Sequence, residues 1–169
     1  MRQLVNISLT AAAVAAIAIS SAAAQPQEDS QSDGNAYVVT PLVSNLPASA
    51  AMRDPVLQNA WGITFSPAGS PFWVNDNATG CSTLYAGDGT KIGLQVSIPL
   101  PGGLIAPNSC QPFDFSNPPA TAPAAPTGIV WNPSAAFLVP GTKTPAAFIF
   151  ATEDGTLSAW AGGLSPATD

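Results

Sequence analysis

The chain has 169 residues and a formal charge of −6, from four cations against ten acids, with no histidine. So few Lys and Arg residues cannot neutralise a run of phosphates, which argues against a nucleic-acid partner and against attraction to anionic membranes. The lack of histidine excludes Ser-His-Asp and Cys-His catalysis within the chain, together with the commonest zinc sites.

Residues 1–24 have the layout of a signal peptide: a charge at Arg2, an apolar run over Leu9–Ile19, and the small residues Ala22, Ala23 and Ala24 before Gln25. A membrane anchor is the alternative, but that run is well short of the roughly 20 residues a spanning helix needs. No later apolar run is long enough to span, so no membrane span is expected after cleavage, and the protein is expected to be secreted or periplasmic. Residues 25–36 are polar and acidic, without apolar periodicity, and are expected to be a flexible lead-in.

Residues 37–169 carry the fold. Tyr37–Leu42 reads as a first strand broken by Pro41, and the small, mixed segment that follows reads as one helical turn around "SAAMRDPVL". Strand signals then become regular: "WGITFS" (61–66), "PFWVND" (71–76), "STLYAGD" (82–88) and "IGLQVSIPL" (92–100). Turn residues separate them, as in an antiparallel meander. Residues 101–125 are too rich in proline to supply ladder donors and read as an irregular insertion. Strand signals resume at "GIVWNP" (128–133), "AAFLV" (135–139), "AAFIFATE" (146–153) and "TLSAWAGG" (156–163).

An internal repeat runs through these segments. "WGITF" matches "TGIVW" with Gly62 and Gly128 aligned, "FWVNDN" matches "FIFATEDG", and "STLYAGDG" matches "GTLSAWAGG". The two copies, about 57–100 and 126–169, are expected to be blade-like antiparallel sheets, since repeats of that kind mark a β-propeller. The fold class expected is therefore all-β, a partial β-propeller with four-stranded blades. Cys81 and Cys110 are the only cysteines, and in an oxidising compartment a disulfide between them is expected. The four tryptophans, Trp61, Trp73, Trp131 and Trp160, are expected to pack between blades.

The motifs "NAWGI", "PFWVNDNATGCSTLY", "PTGIVWN" and "FIFATEDGTLSAW", in that order, resemble a family of uncharacterised secreted bacterial proteins with NHL-like six-bladed propellers. The resemblance runs from Tyr37 to the C-terminus. It implies a fold and a compartment, and no reaction. Against six blades this chain supplies about two, so a fragment or truncated propeller is expected, with Phe148, Phe150 and Trp160 left uncovered and self-association through exposed blade edges.

Asn59, Asp76, Asn77, Glu153 and Asp154 are the candidate ligand-binding residues. The plain reading is turn chemistry, because Asp-Gly and Asn-x-x-Gly bend the chain without any ligand. The sharper reading is a channel mouth whose carboxylate and amide oxygens suit Ca²⁺. Two functions stay open: an extracytoplasmic scaffold that binds a protein or small molecule, and a divalent-metal-assisted hydrolase resembling the regucalcin and gluconolactonase type. No nucleophile is assigned, because no serine lies in a G-x-S-x-G context. Mass spectrometry of exported protein is expected to find a chain starting at Gln25; an extracytoplasmic chain that retains Met1 would refute the signal reading.

Overall fold

The computed structural model describes residues 37–163 and 167, so the expected signal peptide and lead-in lie outside the described residues. Contacts divide the chain into Met1–Val38 and Val39–Asp169, and the second unit is the subject below. It is all-β. Strand β1 (Val43–Ser44) pairs in parallel with β2 (Met52–Arg53). A four-stranded antiparallel sheet follows in chain order: β3 (Ala60–Thr64), β4 (Phe72–Asp76), β5 (Cys81–Tyr85) and β6 (Lys91–Ser97). A second, three-stranded antiparallel sheet holds β7 (Pro126–Trp131), β8 (Phe148–Thr152) and β9 (Leu157–Trp160).

The meander forms where alternating residues and Gly turns predict it. Elsewhere the chain departs from expectation. No strand forms at 37–42, where Pro41 lacks a donor, and pairing begins at Val43. The helical turn expected near residue 50 is instead a run of bends leading into β2, with Ala48 in the left-handed region at φ 57°. The strand expected at 135–139 shrinks to one bridge between Leu138 and Pro145. Pro133, Pro140 and Pro145 flank it and deny it ladder donors.

Strand alternation sorts side chains onto two faces. Trp73, Leu84, Val96 and Ile98 of the first sheet meet Ile129, Phe148, Phe150 and Trp160 of the second in one core. Trp73 stacks on Phe148 with ring centroids 4.1 Å apart and tilts against Trp160 at 4.7 Å. This corrects the expectation for the C-terminal aromatics: Phe148, Phe150 and Trp160 are buried against the first sheet. The apolar residues left outside the second sheet are Val130, Phe137, Leu138 and Leu157. Trp131 is half-buried beside the core, while Trp61, 57% exposed, packs with none of it.

The two sheets also approach along their first strands. A Cβ on Gly62 of β3 would stand 2.4 Å from the Thr127 carbonyl of β7, so only glycine fits there. Asn75, wholly buried, spans the same seam, its Nδ2 donating to Gly128 O at 3.0 Å.

The insertion is held firmly. Cys81 and Cys110 form the expected disulfide, Cα atoms 4.9 Å apart, which suits an oxidising compartment. Cys110 N also donates to Thr79 O at 2.9 Å. Gln58 exchanges two hydrogen bonds with the backbone of Phe113, at 2.6 and 3.3 Å. No helix among the described residues is long and apolar enough to cross a membrane.

In urea melts, Phe150→Ala is expected to cost about 3–5 kcal/mol through the cavity it leaves. Gly62→Ala is expected to cost about 1–3 kcal/mol through overpacking against Thr127. Ile63→Ala, on the exposed side of β3, is expected to stay within about 0.5 kcal/mol. A neutral Gly62→Ala would overturn the close approach of β3 and β7.

Candidate functional site

β4 ends at Asp76, and Asn77–Thr79 make a single 3₁₀ turn that Gly80 closes at φ 60°. Asn59, just before β3, is also left-handed, at φ 53°. Asparagine tolerates that conformation better than most side chains. The two asparagines are doubly joined: Asn77 N donates to Asn59 O at 3.1 Å, and Asn59 Nδ2 donates to Asn77 Oδ1 at 3.0 Å. Asn77 Nδ2 then donates to Glu153 Oε2 at 3.0 Å and to Pro126 O at 3.4 Å.

Three of the five sequence-predicted residues thus form one polar chain across the seam between the sheets. Asn59 and Glu153 are exposed and Asn77 is half-buried, so the chain faces solvent. Asp154 is a neighbour with a different task. Its Oδ2 accepts from Ala125 N at 2.8 Å, while Glu153 N donates to Ala125 O at 2.9 Å. The β8–β9 turn, with Gly155 at φ 83°, therefore pins the start of β7.

Asp76 does not join them at the expected mouth. It pairs with Ala60 and Cys81 as the last residue of β4, and alternation puts its side chain on the face away from the second sheet. There it is 0% exposed. Its Oδ2 accepts from Thr83 Oγ1 at 2.7 Å, and its buried Oδ1 has no partner.

Beside it lies a polar node missed in the sequence. Asp54 Oδ2 accepts from the Tyr85 hydroxyl at 2.6 Å and from Lys91 Nζ at 2.7 Å, and Asp54 Oδ1 from Val56 N at 3.0 Å. Lys91 Nζ also donates to Gln95 Oε1 at 2.8 Å. A usable signal was present: Thr83 and Tyr85 alternate on β5 with the parity that meets Asp76. Lys91 is one of only three cations after Ala24.

The electrostatics of the two acids diverge. Burial raises Asp54, but hydrogen bonds from Lys91, Tyr85 and Val56 outweigh it and hold the carboxyl below its ordinary range. Burial pushes Asp76 up to about 8; Thr83 opposes the shift and the charge on Asp54 adds to it. Asp76 is therefore protonated at neutral pH. Burial and the bond to Asp54 raise the Tyr85 phenol.

At the exposed chain the oxygens are one carboxylate and two amides, and among the described residues no three His, Cys, Asp or Glu side chains converge. Such a set can hold a polar ligand by exchange of hydrogen bonds, and it positions no acid–base pair. No family model, curated protein or solved structure matches this chain.

The divergence of Asp76 and Asp54 predicts an acid stability optimum. Between the unfolded value of 3.8 and the folded value of about 8, native Asp76 keeps a proton that the unfolded chain has lost. Stability should therefore fall as pH rises through that window, by up to about 1.4 kcal/mol per pH unit, and level off above it. Asp54 acts oppositely, its contribution being lost as pH falls through its depressed folded value. Urea melts from pH 3 to 9 are expected to show greatest stability near pH 4, and Asp76→Asn to flatten the fall on the alkaline side. An unchanged slope in that variant would remove Asp76 as its source.

Proposed function

We infer that the chain is a propeller-type extracytoplasmic scaffold that binds ligand at the Asn59–Asn77–Glu153 end. The observation that carries this is the hydrogen-bonded chain crossing from one sheet to the other, at the end where β3 and β7 begin and β4 and β8 finish. First strands lying side by side, with their sheets stacked face to face, are the arrangement of successive blades around a channel. The resemblance to secreted NHL-like propellers agrees with this. Ligands of propellers and barrels meet the protein at such mouths, where loops converge.

The exposed oxygens suit a hard cation such as Ca²⁺, or a small polar molecule that both accepts and donates. Metal-assisted lactone hydrolysis would call for more carboxylates beside Glu153, and Asp154 and Asp76 are both engaged elsewhere. Binding is thus the better supported reading.

Nitrogen-edited NMR of the side-chain amides provides the test. Titration with calcium chloride to millimolar concentration, then with small lactones and sugars, is expected to move the Asn59 and Asn77 amides and the backbone of the Glu153 turn. Asn77→Ala should abolish the response. Shifts confined to other parts of the molecule, or none with any probe, would overturn the assignment.

A further inference from the structure

The segment that covers the outer side of the first sheet leaves an apolar cavity of about 310 Å³ between itself and the strands. The floor is made by Ile63, Phe72, Val74 and the Tyr85 ring. These side chains share a face because Ile63 pairs with Val74 and Phe72 with Tyr85 on neighbouring strands. Leu42, Val43 and Leu57 form one wall, and the β5–β6 turn forms another. Ile63, 64% exposed, marks the side open to solvent.

Both walls are held in place. Met52 N donates to Leu42 O and Asp54 N to Ser44 O, each at 2.9 Å, which fixes Leu42 and Val43 to the rest of the cover. Asp54 in turn anchors that cover to β5 and β6 through Tyr85 and Lys91. In the turn, Gly89 has φ 87°, and a Cβ there would stand 3.0 Å from Leu42 Cβ and 3.2 Å from Val43 Cγ2. Glycine meets both demands, and the two walls join at that point.

The lining is chemically uniform. Tyr85 presents only its ring, because its hydroxyl donates to Asp54 at 2.6 Å. Lys91 is likewise engaged, by Asp54 and Gln95. Among the described residues, no charged side chain lines the cavity. A charged occupant would lose its hydration there and gain no partner. The volume is about twice that of an apolar cavity, ~150 Å³, able to hold benzene, and it falls at the lower end of small-molecule sites.

We propose that this cavity is a binding site for an uncharged hydrophobic small molecule of one or two rings, held by burial and not by hydrogen bonds. The fixed walls favour such a ligand, because no segment has to be ordered when it enters. The site shares no residue with the polar chain of Asn59, Asn77 and Glu153, and it does not depend on the function inferred for that chain.

Methyl NMR of the full chain, labelled at Ile, Leu and Val, tests this with toluene and naphthalene as probes and benzoate as the charged comparison. Toluene and naphthalene are expected to move the methyls of Leu42, Val43, Leu57, Ile63 and Val74 together and to saturation, while those of Val130 and Leu157 stay in place. Benzoate is expected to bind at least about tenfold more weakly than toluene, because its carboxylate finds no partner. Val74→Phe fills the cavity from its floor, and Ile63→Glu puts a charge at its open side. Each is expected to weaken binding at least about tenfold, with a cooperative urea melt verifying the fold. If Val74→Phe fails that check, the variant at the exposed Ile63 carries the comparison. Equal shifts over both sheets, benzoate binding as tightly as toluene, no saturation up to probe solubility, or unchanged binding in a folded variant would each overturn the proposal. So would the same methyls shifting with protein concentration before any probe is added, since the cavity then belongs to a second copy.

Discussion

The contact on which the rest depends is the stack of Trp73 on Phe148. The indole comes from the second strand of one sheet and the phenyl from the second strand of the other, so one pair of rings sets the distance between the sheets. Leu84, Val96, Phe150 and Trp160 fill around it. Aromatic pairs contribute about 0.5–1.5 kcal/mol beyond the apolar area they bury. With that spacing fixed, β3 and β7 can touch only through a residue without a side chain, which Gly62 supplies. The same spacing brings Asn77 within reach of Glu153. The polar end is a consequence of the apolar middle.

Much of the architecture was legible because it depends on local rules. Alternation and Gly turns specified the meander, and the cysteine pair specified the disulfide. What escaped was long-range. The segment 135–139 has strand composition, but the prolines around it prevent a ladder. Trp61 looked like packing material, yet its strand is the edge strand and its parity turns it outward. For the candidate site, Asn59, Asn77 and Glu153 were identifiable as turn residues of matching position. Asp76 followed the same motif, and its strand reads as ending with it, but alternation turns its side chain to the face away from the second sheet, under residues 54–58.

The acid cluster shows how a chain with few charges uses them. Asp54 is compensated by a cation, a phenol and an amide, and so remains ionised under cover. Asp76 has a single hydroxyl and remains neutral. Buried carboxylates survive only by one of these two routes. The first route also ties the irregular residues 52–58 to β5 and β6, turning a segment with little pairing of its own into a cover for the first sheet.

The position of the disulfide carries a consequence for the order of assembly. Cys81 opens β5, and Cys110 lies in the insertion that precedes β7. The loop they close contains the whole β5–β6 hairpin, and the strap around Gln58 reaches only as far as Phe113. Every link that fastens the first sheet to its own cover is thus made before residue 126 is needed. The apolar face around Trp73 is covered by β7, β8 and β9, all of which lie beyond that closed loop in the chain.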